Sequence, residues 1–179
     1  GESALSKCLG KPFRHNEQSL RVVDYLEKNG MGLNLSYEVR NGILCHTGDP
    51  WPETLEGMIV RRCDQIAYVN HDIDDAIRAG ILTNEDIPKD ISSLLGHDHS
   101  SRINSLVCDM IRTSREAGTV MLTPAMEKAL KDLRAFMFER VYRNPIAKGE
   151  ESKAQEMLQR LFAYYFTHPE ALPEDFHPQ

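Results

Sequence analysis

Apolar side chains return every three or four residues along most of this chain, and that period is helical. It is clearest in "TLEGMIVRRCDQIAYVNHDIDDAIRAG" (54–80). At about 100° per residue, Ile59, Ile66, Val69, Ile73 and Ile77 gather on one side of a helix. Asp64, Tyr68, His71, Asp72 and Asp75 fall within roughly one quadrant of the other side. The pattern predicts a long amphipathic helix, opened near Pro52, running through Ala79 and stopped by Gly80, with its apolar stripe in a core.

The same period predicts the other elements. "NEQSLRVVDYLEKNG" (16–30) spaces Leu20, Val23 and Leu26 helically and ends on Asn29-Gly30. "NLSYEVRNGILCHTG" (34–48) has Ser36 as an N-cap and Gly48 as a breaker. Residues 83–96 read as a loop with short helices. "SSRINSLVCDMIRTSREAG" (100–118) is a clean helical pattern closed by Gly118, and 123–144 opens on the cap Thr123 and Pro124. Residues 148–170 form the last long helix, and the tail is peripheral. The one extended candidate is "GTVMLT" (118–123). The chain is therefore all-α, a multi-helix bundle with non-local packing.

Composition narrows the function classes. The chain has 179 residues, enough for a substantial core, and is 41% hydrophobic and 27% charged. No run approaches the roughly 20 apolar residues of a membrane span. A net charge of −6 argues against bulk nucleic-acid or anionic-membrane binding, but leaves room for a small polyanion held by local cations. Cys8, Cys45, Cys63 and Cys108 are scattered without Cys-x-x-Cys spacing, so buried, reduced thiols in a cytoplasmic protein are expected.

Candidate chemistry is sparse when read from spacing alone. His15, in "FRHNEQS", precedes a helix and reads as a capping or surface histidine. "GHDHSS" (96–101) could chelate a metal through His97 and His99 on a strand, but at the mouth of a helix it reads as a cap formed by Asp98, His99 or Ser100. His168 and His177 read as surface residues. Arg102, Arg112, Arg134, Arg140, Arg143 and Lys148 read mostly as solvated helix faces. Tyr142, Tyr164 and Tyr165 read as core or interface aromatics.

Taken together, "FRHNEQSLRVV", "LNLSYEVRNGILCH", the 54–82 helix and the late "VYRN…KAQEMLQRLF" resemble bacterial deoxyguanosinetriphosphate triphosphohydrolase-like proteins of the HD-domain superfamily. The resemblance runs from about residue 1 to about residue 175. It implies an HD-domain-like multi-helix bundle: residues 1–82 as the C-terminal part of the catalytic core, and 83–179 as a family-specific helical region continuous with it. It implies metal-dependent hydrolysis of deoxynucleoside triphosphates to a deoxynucleoside and tripolyphosphate, with Mg²⁺ or Mn²⁺ as the metal and a homo-oligomeric assembly.

Residue by residue, the resemblance makes Asp64, at the start of "D-x-I-A-Y", the last metal ligand, and makes the dipeptide His71-Asp72 a decoy for the metal-binding His-Asp pair. Tyr68 and Asp72 match the residues that approach the deoxyribose. Asp64, Tyr68 and Asp72 are also successive i, i+4 positions on one ridge, so one pocket wall can carry all three. His15 matches a histidine near the phosphates. Glu2, in the opening "GE", matches the acid that orients a catalytic histidine two residues before Gly1.

That histidine, the first metal histidine and the His-Asp pair have no counterpart in the 179 residues. One carboxylate cannot hold a catalytic ion that needs about four protein ligands. The expectation is a chain truncated at its N-terminus and inactive alone, with residues 1–30 partly displaced. Two alternatives stand beside it: another HD-domain nucleotide phosphohydrolase, and a non-catalytic nucleotide-binding or oligomerisation module.

Overall fold

The computed structural model describes residues 1–173, apart from the side chains of residues 146 and 147, so His177 lies outside the described residues. Helix follows helix: α1 (Glu2–Leu9), α2 (His15–Arg21), α3 (Tyr37–Leu44), α4 (Leu55–Arg78), α5 (Lys89–Leu95), α6 (His99–Ala117), α7 (Pro124–Met137) and α8 (Pro145–Thr167). Two π turns, Val22–Leu26 and Phe138–Tyr142, prolong α2 and α7, and short 3₁₀ turns occupy Asn84–Asp86 and Pro169–Ala171. Among the described residues there is no strand.

The core lies between α4, α5, α6 and α7. Ile66, Val69 and Ile73 of α4 meet Leu95, Leu106, Leu130, Leu133 and Met137 in one cluster that runs from Ile66 to Val141. Complete burial of such a side chain contributes about 1.5–3 kcal/mol relative to leaving it in water. The stripe expected on α4 is the one that packs, except at its start. Ile59 is 45% exposed, because the core begins about two turns later, at Ile66.

Caps fix the helix ends. The Thr54 hydroxyl accepts from the Gly57 amide at 3.1 Å and starts α4. Asp98 accepts from the Ser101 amide at 2.9 Å, and the Ser101 hydroxyl accepts in return from the Asp98 amide, a capping box that starts α6. Thr123 caps α7 with Pro124 at its first turn. Ser36 precedes α3, but its side chain makes no cap bond.

The "GTVMLT" segment is not a strand. Its polar groups are stapled to α6 instead: the Thr123 amide donates to Asp109 at 2.8 Å, and the Met121 amide to the Ser114 hydroxyl at 3.0 Å. Side chains on the helix thus take the bonds that a second strand would have supplied.

The second expected helix stops at Leu26, well before Asn29-Gly30. The chain then doubles back, with the Leu33 amide donating to the Val23 carbonyl at 2.7 Å. Gly32 makes this crossing possible: a Cβ there would sit 2.1 Å from the Asp24 carbonyl oxygen, and its φ is +70°. Residues 1–30 are docked, not displaced. α1 packs on α8 with Ala4 fully buried, and Arg40 grips Asp24 through two bonds of 2.8 Å.

The cysteines carry no disulfide, but only Cys45 is buried. Cys63 and Cys108 are exposed, since both lie on the outer faces of their helices. Arg102 departs from the expected solvated role. It is fully buried and donates to Asn70 at 2.9 Å, with Asp74 at 3.8 Å. Burial pulls its pKa down from the ordinary guanidinium value. His168 is a surface residue, as its sequence context suggests.

Candidate functional site

Two groups of polar side chains gather where the sequence places candidate chemistry. The first stands on α4. Asp64, Tyr68 and Asp72 follow one another at i, i+4 along a single helix, so their side chains rise from one ridge. Asp64 is exposed and makes no hydrogen bond or ion pair with the described residues. Tyr68 is half-buried and leans on the core cluster. Asp72 accepts a hydrogen bond from the Tyr142 hydroxyl.

Two partners come from α7 and the π turn that prolongs it, and sequence pattern gives neither a site role. The Arg134 guanidinium sits 5.3 Å from the centre of the Tyr68 ring, a cation–π contact. Tyr142 reaches Asp72 from the π turn that prolongs α7. Tyr68, Arg134, Tyr142, Lys131 and Phe138 line a cavity of about 400 Å³. Burial, then the Asp72 carboxylate, pushes the Tyr142 phenol above its ordinary value, so it stays protonated and donates. Burial also raises Tyr68, while Arg134 pulls it the other way.

Chemically, this wall offers an aromatic face, a carboxylate held by a phenol, and two cations. A ring or sugar can lie on Tyr68, a hydroxyl can donate to Asp72, and an anion can meet Arg134 or Lys131. The bond that fixes Asp72 spans 70 positions in sequence, which is why local pattern does not reveal it. The available signal was modest: Arg134 and Tyr142 stand eight residues apart on a strongly patterned helix.

The second group joins α1, α2 and the end of α3. Glu2 Oε1 accepts from the backbone amide of His15 at 2.7 Å and lies 2.7 Å from its ring Nδ1. These contacts, the backbone bond first, hold the Glu2 carboxyl below the usual carboxylate range. The His15 Nε2 atom lies 3.0 Å from Nε2 of His46, a residue given no role on sequence grounds. The Glu2 oxygen is thus engaged by a histidine within the chain, His15. His71 and Asp72 do not act as a pair: Asp72 turns to Tyr142, and the His71 ring packs 5.3 Å from that of His99.

A divalent ion does not fit the described residues by themselves. Asp64 stands alone, and among the described residues no group of three or more His, Cys, Asp or Glu side chains could hold a metal. Among the described residues, too, no helix is long and apolar enough to cross a membrane.

Residues 120–179 match the model of a phosphohydrolase-associated domain, the stretch that supplies Arg134 and Tyr142. The wider match covers nearly the whole chain. A deoxyguanosinetriphosphate triphosphohydrolase-like protein of Caldanaerobacter subterraneus is 46% identical over 98% of this chain and 52% of its own length. One from Clostridium tetani is 46% identical over 97% of this chain and 53% of its own. One from Geobacter sulfurreducens is 31% identical over 98% of this chain and 60% of its own. The chain is homologous, along almost all of its length, to the deoxyguanosinetriphosphate triphosphohydrolase-like proteins, and it spans about half the length of these relatives.

Proposed function

We propose that this chain supplies the sugar- and phosphate-facing wall of a deoxynucleoside triphosphate triphosphohydrolase. The reaction is hydrolysis of the ester between the α-phosphorus and the sugar 5′ oxygen. Water adds to phosphorus, the 5′ oxygen leaves with a proton, and the products are a deoxynucleoside and tripolyphosphate. The observation that carries the reading is the Asp64–Tyr68–Asp72 ridge with Tyr142 bonded to Asp72. A deoxyribose packed on Tyr68 would present its 3′ hydroxyl to Asp72, whose orientation Tyr142 fixes. Close packing against the 2′ carbon would disfavour ribose, a discrimination by differential binding. Arg134, a cation on the same wall, suits a phosphate oxygen.

His15 is assigned to the phosphate end, where a ring held by Glu2 can stabilise negative charge or pass a proton to the leaving oxygen. Asp64 is assigned as one ligand of a divalent ion, Mg²⁺ or Mn²⁺, whose other donors lie beyond the described residues. Such an ion would polarise the phosphate when bound. Homo-oligomeric assembly belongs to the same reading. A non-catalytic nucleotide-binding module is the second reading, and the absence of a complete metal group among the described residues favours it for these residues taken alone.

The test uses this chain and a protein of its relatives' length that contains it. Each is incubated with the four deoxynucleoside triphosphates and Mg²⁺ or Mn²⁺, and the phosphorus products are resolved. Tripolyphosphate from the longer protein, lost in Asp64→Ala and absent from the short chain, is expected. Release of single phosphate would point to another phosphohydrolase. Nucleotide binding without turnover would point to the binding module.

A further inference from the structure

The histidine group carries more than the proposed function uses. Its protons can be counted bond by bond. A hydrogen bond between two ring nitrogens contains one proton, and a nitrogen facing an oxygen acceptor must carry its own. His15 Nδ1 faces the Glu2 carboxylate at 2.7 Å, so it is an N–H. His46 Nδ1 faces the Ile43 carbonyl at 2.7 Å, so it is an N–H as well. The 3.0 Å contact between the two Nε2 atoms needs a third proton. No neutral arrangement satisfies all three contacts, because two neutral rings carry two N–H groups: with both on Nδ1 the Nε2 lone pairs face each other, and with one on Nε2 that ring's Nδ1 lone pair faces an oxygen.

The His46 side of this arrangement is built. Arg61, itself buried, donates to the Cys45 carbonyl at 2.9 Å and to the Gly48 carbonyl at 2.7 Å, bracketing His46 in the chain. Its guanidinium also lies 4.3 Å from the centre of the Trp51 ring. Asn16, next to His15, donates to the Leu44 carbonyl at 2.7 Å and ties α2 to the same segment. A buried arginine spent on loop carbonyls fixes where the His46 ring stands. Of the other charged groups, Glu2 from α1 touches His15, and Glu38 and Glu56 line a cavity that His46 borders. Just before α2, Arg14 precedes His15 and is 3.9 Å from Glu17.

We propose that His46 is a positioning residue for His15, sharing one proton between the two Nε2 atoms in a Glu2–His15–His46 relay. His46 holds the proton-bearing Nε2 edge of His15 in place until an anionic oxygen takes over the N–H. It then stands ready to return a proton that His15 gives up. The shared proton follows from the geometry alone. Its use in a reaction rests on the proposed triphosphohydrolase reading.

The first experiment is independent of that reading. In the 179-residue chain with ¹⁵N-labelled histidine, ring nitrogens are read through their couplings to carbon-bound protons at pH 7. The expected spectrum shows His15 and His46 Nε2 at intermediate positions, both Nδ1 atoms protonated, and the His15 Nε2 signal displaced in His46→Leu. An ordinary neutral His15 that is indifferent to His46→Leu overturns the proposal.

The second experiment uses the relatives-length protein. His46→Leu is expected to lower kcat by about ten- to a hundredfold, the scale for losing an orienting partner, and to move the limb of the pH profile that His15→Ala abolishes. KM should change less than kcat, and His46→Gln, which can accept the same N–H, should recover most of the rate. An unmoved pH profile in His46→Leu refutes the role. If the wild-type protein turns over no deoxynucleoside triphosphate, the functional reading fails by itself, and the ring-nitrogen spectrum still decides whether the proton is shared.

Discussion

The two candidate groups sit on scaffolds of opposite kind. The α4–α7 wall grows from a continuous core in which Ile73, Leu95, Leu106, Leu133 and Met137 are fully buried. In the α1–α3 segment only a few side chains, Ala4 and Cys45 among them, are buried, while Tyr25, Leu26, Met31 and Tyr37 are exposed. Its order comes from directional contacts: Arg40 with Asp24, Glu2 with His15, Asn16 with Leu44. A wall built on dispersion and burial resists local opening. A segment built on polar links is fixed only as long as each link persists. The proposed deoxyribose contacts therefore stand on the rigid part, and the proton-carrying histidines on the part that can adjust.

The largest expected effect tests that contrast directly. Leu133 is fully buried on α7, and Leu133→Ala should cost about 2–5 kcal/mol of unfolding free energy. Val39, 50% exposed on α3, should lose no more than about 0.5 kcal/mol as Val39→Ala. Paired denaturant unfolding curves measure both. Equal losses would mean that the α1–α3 segment has a core of its own.

Next in size is the staple on the 118–123 segment. Asp109 is buried and accepts from both the amide and the hydroxyl of Thr123. Asp109→Ala leaves the Thr123 amide without its acceptor and should cost about 1–3 kcal/mol. Amide exchange should quicken at 119–123 before it quickens in α4. Uniform quickening would show that the segment is part of the same cooperative unit as the core.

How legible each part was follows from the range of its contacts. α4 could be read because its stripe repeats over 24 residues, and every repeat votes for the same face. The Asp64–Tyr68–Asp72 ridge came with it, as a property of one helix. The caps Asp98 and Thr123 were equally local. Arg134 reads as a solvated residue and Tyr142 as a core or interface aromatic, because their contacts with Tyr68 and Asp72 come from α4, far away in sequence. His46 was missed for the same reason: nothing within a few residues of it announces His15. The early stop of α2 was hidden by its last apolar positions, which keep helical spacing while a π turn and Gly32 send the chain back across the helix end.

A smaller effect sharpens the rigid side of the comparison. Tyr142→Phe removes the hydrogen bond to Asp72 and leaves the ring. Tyr142 is 41% exposed, so folding stability should move by less than about 1 kcal/mol. Binding at the sugar end should weaken by about 0.5–1.5 kcal/mol, which is roughly two- to tenfold in KM for a deoxynucleoside triphosphate. The ratio of deoxyribose to ribose substrate should fall with it. A drop in kcat at unchanged KM would place Tyr142 at the reacting phosphate and sink the sugar assignment.

The smallest effect belongs to the adjustable side and is set by pH. Hydrogen bonds from the His15 amide, and then from its ring, lower the Glu2 pKa below the ordinary glutamate value of about 4.3. A carboxyl whose folded pKa is depressed contributes stability that is present above its unfolded pKa and is lost as pH falls through the folded one. The link from α1 to α2 should therefore hold across neutral and mildly acidic solution and fail only below the usual glutamate range. The His15 amide reports this, since its proton is the one Glu2 accepts. Its chemical shift should stay constant down to about pH 4.5 and move below it. In Glu2→Gln, which still accepts but does not titrate, that movement should vanish while α1 stays on α8. If the amide shift instead moves in the neutral range in both proteins, the histidine ring and not the carboxylate sets the strength of the link, and the α1–α3 segment is governed by imidazole protonation.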